Sequence, residues 1–160
     1  MMNIRPAASQ DAEIITRLNE AVQQLHAEVW PEIFKPVSEG NGIEALFADL
    51  LAEPDNHFFL AFLDEKPVGY AWARVERREE TPLKFARDLI YVHQISVNPD
   101  VQGQGIGQGL MQAIFRLTED KQISEIALDT WAFNREARDF FSGQGFIDYN
   151  MRMWRRIDSA

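Results

Sequence analysis

A chain of 160 residues favours a single domain, with enough buried surface to fold without covalent staples. It contains no cysteine, which excludes disulfides, thiolate zinc sites and cysteine nucleophiles. The formal net charge of −9 has the wrong sign for a general nucleic-acid binder and mildly favours a cationic partner. No apolar run approaches the roughly 20 residues that span a bilayer, and Met1 to Gln10 lacks the apolar core of a signal peptide. The expectation is a cytoplasmic protein with no membrane or nucleic-acid partner.

Asn3 to Arg5, before Pro6, suggests a short edge strand. Ser9 is placed to cap a helix with Asp11 and Glu13 in its first turn. Ile14, Leu18, Val22, Leu25 and Val29 recur at helical spacing and carry that helix to about Val29. Pro31, Pro36, Gly40 and Gly42 leave a loop from Trp30 to Asn41, and Ile43 to Leu51 gives a second helix. His57 to Leu63 and Val68 to Val75 flank the polar turn Asp64-Glu65-Lys66-Pro67 and predict an antiparallel hairpin. Leu89 to Val97, apolar on both faces, predicts a central strand. Gly105 to Asp120 is helical, Ile126 to Trp131 a strand, Asn134 to Ser142 a short helix, and Tyr149 to Arg156 alternates as a final strand. The whole is an α/β fold with a mixed sheet, one domain over residues 1–160.

The sharpest local feature is Gln102-Gly103-Gln104-Gly105-Ile106-Gly107-Gln108-Gly109, between the central strand and a helix. Alternate glycines permit a tight bend and close approach by a ligand. The first helical turn leaves N–H groups without intrahelical partners, so the segment suits phosphate oxygens. A Walker loop needs Lys and Ser or Thr after its last glycine, where Leu110 and Met111 stand. A dinucleotide fingerprint needs a third glycine where Gln108 or Leu110 stands. Gln102, Gly105 and Gly107 do match the Q/R-x-x-G-x-G/A turn that holds the pyrophosphate of coenzyme A. A plain glycine-rich turn is the competing reading.

Val97-Asn98-Pro99, this turn and Leu110-Met111 resemble motif A of the GNAT N-acetyltransferase superfamily. Leu128-Asp129-Thr130-Trp131, Asn134-Arg135-Glu136-Ala137, Phe140-Phe141 and Gly145-Phe146 resemble its motif B, and Ile4-Arg5-Pro6-Ala7 is a common opening. The resemblance spans the chain. It implies a GNAT-like (acyl-CoA N-acyltransferase) fold with a mixed central sheet of six to seven strands and about four helices. The implied activity is transfer of an acetyl group from acetyl-CoA to a primary amine of a small molecule or a protein. A non-catalytic acyl-CoA sensor or scaffold is the alternative, and a homodimer is one expected state.

The resemblance also implies site residues. Ile95, Ser96 and Val97 would bind the pantetheine and thioester. Backbone amides of Gln102, Gly103, Gln104, Gly105, Ile106, Gly107 and Gln108 would hold the pyrophosphate, with Asn134 and Phe141 near the cofactor arm. Asn134 equally suits a helix N-cap. Tyr91 and His93, two apart on the central strand, share a face where relatives often carry a glutamate base. His93 titrates in the right range for a base, though a histidine hydrogen-bonded within the sheet explains it too. Relatives place an acidic tyrosine where this chain has Phe141, which cannot donate a proton. Trp30 and Phe34 would cover the acceptor. His26 and His57 stand alone without the paired spacing of metal ligands, so no metal is expected.

Overall fold

The structure, a computed structural model, describes residues 1–38 and 42–157. The chain forms two compact units, Met1–Asp129 and Thr130–Ala160. In the first unit the elements run β1 (Met2–Pro6), α1 (Ala12–Val29), α2 (Ile43–Ala52), β2 (Asn56–Leu63), β3 (Lys66–Arg78), β4 (Arg87–Val97), α3 (Ile106–Lys121) and β5 (Ile126–Leu128). The strands form one sheet in the order β1-β2-β3-β4-β5. Neighbours from β1 to β4 are antiparallel, and β5 runs parallel to β4.

The hairpin between β2 and β3 turns on Asp64 and Glu65, whose φ angles of 47° and 65° match the right-handed twist of the flanking strands. Side chains alternate across the sheet. Phe58, Leu60 and Tyr70 bury against Ala12 and Ile15 of α1 and Phe47 of α2. On the other side α3 buries Ile106, Leu110, Met111 and Ile114. Gly109 lets α3 lie against β1, because a Cβ there would sit 2.6 Å from Ile4 Cδ1.

Three expectations need correction. The sheet has five strands, not six to seven, because Tyr149–Arg156 forms no strand among the described residues. Alternation is necessary for a strand but not sufficient; the backbone also needs a partner for its N–H and C=O groups. The buried stripe of α1 is Ala12, Ile15, Asn19 and Ala27, rotated from the predicted stripe, and Leu25 and Val29 are exposed. The rotation follows from burial of a polar residue, Asn19, which no apolar pattern announces. Ser9 lies in a short 3-10 turn, Ser9–Asp11, rather than capping α1. The last residues of the predicted Trp30–Asn41 loop, 39–41, lie outside the described residues.

The local anchor there is Asp11. Its buried carboxylate takes a two-pronged bond from Arg5 (2.7 and 2.9 Å) and accepts the Ala8 N–H (2.8 Å). Arg5 thus ties β1 to the start of α1. The Arg5 bond holds the Asp11 pKa below the ordinary carboxylate value. Its folded pKa is therefore depressed, and the stabilisation is present at neutral pH and lost as acid protonates the carboxylate.

In the second unit, α4 (Arg135–Gly143) starts at Asn134, whose Oδ1 accepts the Ala137 N–H (3.1 Å). Phe140, Phe141 and Phe146 pack edge to face around its end. Gly145 turns the chain at φ 92° into residues 146–157, which hold no helix or strand. No described helix is long and apolar enough to cross a membrane.

Replacing Asp11 with Ala should lower the free energy of unfolding in urea by roughly 1.5–3 kcal/mol at pH 7, the usual value of a hydrogen bond to a charged group. The difference from the wild type should shrink as pH falls below the carboxylate range.

Candidate active site

The centre of the site is an irregularity in β4. In the pairing with β3, Ala73 faces Val92 and Trp72 faces Gln94, so His93 is an extra residue with no opposite number. Such a bulge bends its strand and ends regular pairing. On the other edge of β4, pairing with β5 covers Ile90–Ile126, Tyr91–Ala127 and Val92–Leu128 and stops. From His93 onward β4 pairs with β3 alone among the described residues.

That leaves an open backbone edge along Ile95 to Val97. The Asn98 N–H donates to Val68 O of β3 (2.7 Å). By alternation along a strand, the N–H and C=O groups of Ile95 and Val97 point the other way, into the open edge. Ser96 differs from its neighbours. Its carbonyl lies against Gly69, where a Cβ would come within 2.7 Å. Its hydroxyl donates to Leu18 O of α1 (3.3 Å). Ser96 therefore fastens β4 to β3 and α1 and leaves the open edge to Ile95 and Val97.

Beyond β4 the chain passes Pro99–Val101, a 3-10 turn capped by Asn98, whose Oδ1 accepts the Asp100 N–H (3.1 Å). The Gln102 N–H is used within this turn, on Pro99 O (3.4 Å). Gly103 and Gly105 adopt φ of 77° and 79°, which any side chain would strain. The first helical bond of α3 is Gly109 N–H to Gly105 O (2.9 Å). The backbone N–H groups of residues 103–108 have no acceptor among the described residues. They sit at the positive end of the α3 dipole.

One face of the sheet around the bulge is aromatic. Phe58 of β2 stacks on Trp72 of β3 (centroids 5.4 Å, planes 8° apart), and Trp72 stacks on His93 (4.2 Å, 18°). Tyr91 meets His93 edge to face at 4.8 Å and donates its hydroxyl to Asp129. Trp72 is fixed by its indole N–H on Asn56 Oδ1 (2.9 Å). Solvent reaches His93, yet the crowded rings desolvate its charged form. That desolvation lowers its pKa below the ordinary imidazole value; Arg74 pushes the same way and Glu76 opposes.

Beneath the bulge lies a buried polar group. The Tyr70 hydroxyl donates to Asn19 Oδ1 of α1 (2.8 Å) and lies against the carboxamide of Gln94. Tyr70 is fully buried, and burial pushes its phenol far up, so it stays neutral. The residue after the bulge is thereby locked to α1.

Tyr91, His93, Ile95, Ser96 and Val97 thus lie along one strand, and the 102–108 turn follows it within the same unit. Trp30 and Phe34 sit at the end of α1, with Phe34 packed on His26 at 4.8 Å. Asn134 and Phe141 belong to the second unit, where Asn134 caps α4 and Phe141 packs on Phe140 and Phe146. Sequence reading missed Trp72, Tyr70, Asn19 and Gln94. Their one signal is polarity or bulk in otherwise small-and-apolar strands, or for Asn19 polarity on a helix, and it does not point to a site.

A separate cavity of about 570 Å³ lies among β1, β2 and α3, lined by Ile4, His57, Phe59, Arg116 and Leu117. It holds none of the site residues. His57 Nε2 is buried there without a partner among the described residues, and burial lowers its pKa, with Lys121 adding and Asp55 opposing. Among the described residues no group of three His, Cys, Asp or Glu side chains could share a metal ion.

The model of the acetyltransferase (GNAT) family matches residues 19–146. An N-acetyltransferase of Methanocaldococcus jannaschii is 26% identical over 122 residues, 69% of this chain and 50% of that protein. The chain thus spans about half the length of that relative. A mutant protein of Bacillus halodurans superposes with a TM-score of 0.89 at 25% identity, covering 97% of this chain and 99% of the other. An aminoglycoside N-acetyltransferase in complex with CoA superposes with a TM-score of 0.74 at 20% identity, covering 99% and 96%. With most of its length matched by the family model and its central strand bulged and splayed above a glycine-rich turn, the chain belongs to the acetyltransferase (GNAT) family.

Proposed function

We propose that this protein is an acetyl-CoA-dependent N-acetyltransferase. The observation that carries the reading is a continuity of unused backbone groups. The open edge of β4 at Ile95 and Val97 leads directly into the free amides of residues 103–108. Pantetheine carries amides that can pair with a strand edge, and its diphosphate suits a helix N-terminus. One stretch of chain therefore meets both halves of coenzyme A at the right order and polarity. The CoA complex of a structural neighbour supports the assignment.

The chemistry follows from this placement. A neutral amine nitrogen attacks the thioester carbonyl carbon. The carbonyl electrons move to oxygen, where the Val97 N–H on the open edge is the donor for the developing oxyanion. Collapse breaks the C–S bond and releases the thiolate of CoA. The attacking nitrogen sheds a proton, and His93 is the group to take it. Its lowered pKa keeps it neutral at pH 7, ready as a base. Tyr91 and Trp72 hold the imidazole in place.

The acceptor is a primary amine, and a basic small molecule fits best. The net charge of −9 draws cations, and the half-buried rings of Trp72 and Tyr91 beside His93 favour an ammonium group. The aminoglycoside acetyltransferase among the structural neighbours points to the same class. Trp30 and Phe34, at the end of α1, border the acceptor in this reading. A second reading, an acyl-CoA sensor without turnover, draws on Phe141, where an acid is missing.

Titration calorimetry with acetyl-CoA tests the assignment. The expected result is micromolar binding, weakened at least tenfold by Gly105→Val, which strains the turn and crowds its amides; no heat at millimolar ligand refutes the reading. Thiol release with a panel of amines separates enzyme from sensor.

The role of His93 has its own measurement. The acid limb of kcat/KM against pH should fall below pH 6.5, because the folded imidazole binds its proton less readily than a free one. His93→Gln should lower kcat/KM by roughly 100-fold or more and remove that limb. An unchanged profile would discard the role.

A further inference from the structure

We infer that Asn56 is a positioning residue for His93, acting through the Trp72 indole that lies between them. The inference rests on the proposed role of His93 as base. Trp72 is stacked between two rings, Phe58 at 5.4 Å with planes 8° apart and His93 at 4.2 Å with planes 18° apart. Stacking of this kind fixes the spacing of the rings, but offset arrangements are close in energy, so sliding within the plane is weakly opposed. A hydrogen bond in the plane of the indole supplies the missing restraint. That bond runs from Trp72 Nε1–H to Asn56 Oδ1 (2.9 Å).

Asn56 is itself held. It opens β2 and is buried, at 8% exposure. Its Nδ2 donates to Glu53 Oε2 (3.0 Å), and its backbone N–H donates to Glu53 O (3.1 Å). The indole offers only a donor and the carboxylate only acceptors, so one orientation of the carboxamide satisfies both. Arg74 of β3 lies 3.4 Å from the same Glu53 oxygen and anchors it to the sheet. A run of directional contacts therefore leads from Glu53, just past α2, through Asn56 and Trp72 to the imidazole. The charged groups that act on that ring are Arg74 and Glu76 of β3, which oppose each other. Tyr91, beside it on β4, is engaged with Asp129. Asn56 carries no charge, and among the described residues no hydrogen bond joins it to His93. Its influence passes through the indole: a ring free to slide would uncover the imidazole, admit water to its charged form and loosen its place beside the acceptor.

NMR titration of the histidine rings tests this, because it reads His93 whether or not that ring is the base. The chain has three histidines, and comparison with His93→Gln assigns the resonance. Asn56→Leu removes the indole's acceptor at similar volume. It should raise the His93 midpoint by roughly half a pH unit and lower kcat/KM at pH 7 about tenfold, with the acid limb moving alongside the midpoint. In a Trp72→Phe background no N–H remains to be held, so adding Asn56→Leu should leave the midpoint where Trp72→Phe alone puts it. That second comparison also decides the matter if Asn56→Leu shows no cooperative urea transition, since removing both partners of a buried hydrogen bond is far milder than removing one. An unmoved midpoint in folded Asn56→Leu, or a midpoint that Asn56→Leu shifts in the Trp72→Phe background, overturns the inference. A midpoint that moves while the rate profile does not supports the hold of Asn56 on the ring and refutes His93 as base.

Discussion

One extra residue in β4 sets the geometry of the site. Without the bulge at His93, regular pairing would let β5 continue alongside β4 and consume the N–H and C=O groups of Ile95 and Val97. With it, the strand bends, β5 parts company after Val92, and a backbone edge is left free in the interior of a sheet. Free edges are normally a hazard that proteins cover. Here the edge is short, begins where the β4–β5 pairing stops, and leads into a turn whose amides are also free. A ligand with its own amides and a diphosphate satisfies both.

A bulge must be held, since an unpaired residue in a strand could slip in register. The holding groups lie immediately around it. Trp72 stacks against the His93 ring, and Phe58 stacks on Trp72. Gln94, the next residue, is locked to Tyr70 and through it to Asn19 of α1. Ser96 ties the far side of the bulge to Leu18. These buried polar contacts cost desolvation and return little net stability. Their effect is positional: α1 fixes the bulge, and the bulge fixes the open edge.

Much of this was legible in residue order, and the limits have physical causes. Glycines at 103 and 105 announce the turn because their backbone needs positive φ. The helices and the β2–β3 hairpin follow from period and turn chemistry. His93 and Tyr91 were visible as polar residues two apart on a central strand. The bulge between them and Gln94 was not, since it is a property of two strands read against each other. Asn19 misled for a related reason: its burial depends on a tyrosine 51 positions away. The final strand failed because alternation describes a face, whereas a strand also needs a neighbour.

The proposed reaction has a phenylalanine, Phe141, where the family resemblance implies an acid, and leaving-group pKa values set how much a missing acid would matter. A thiol has an ordinary pKa near 8.5, so its anion leaves at neutral pH within about two pH units of its protonated form. An alkoxide leaving group would face a gap roughly four times as wide and would need the proton. Supplying the neutral amine is the harder transfer, since an alkyl ammonium resembles lysine, with a pKa near 10.4, and cannot attack until that proton is gone. In the proposed reaction the burden therefore falls on the base, the role proposed for His93, which is stacked and desolvated. Loss of the acid would then cost less than loss of that base.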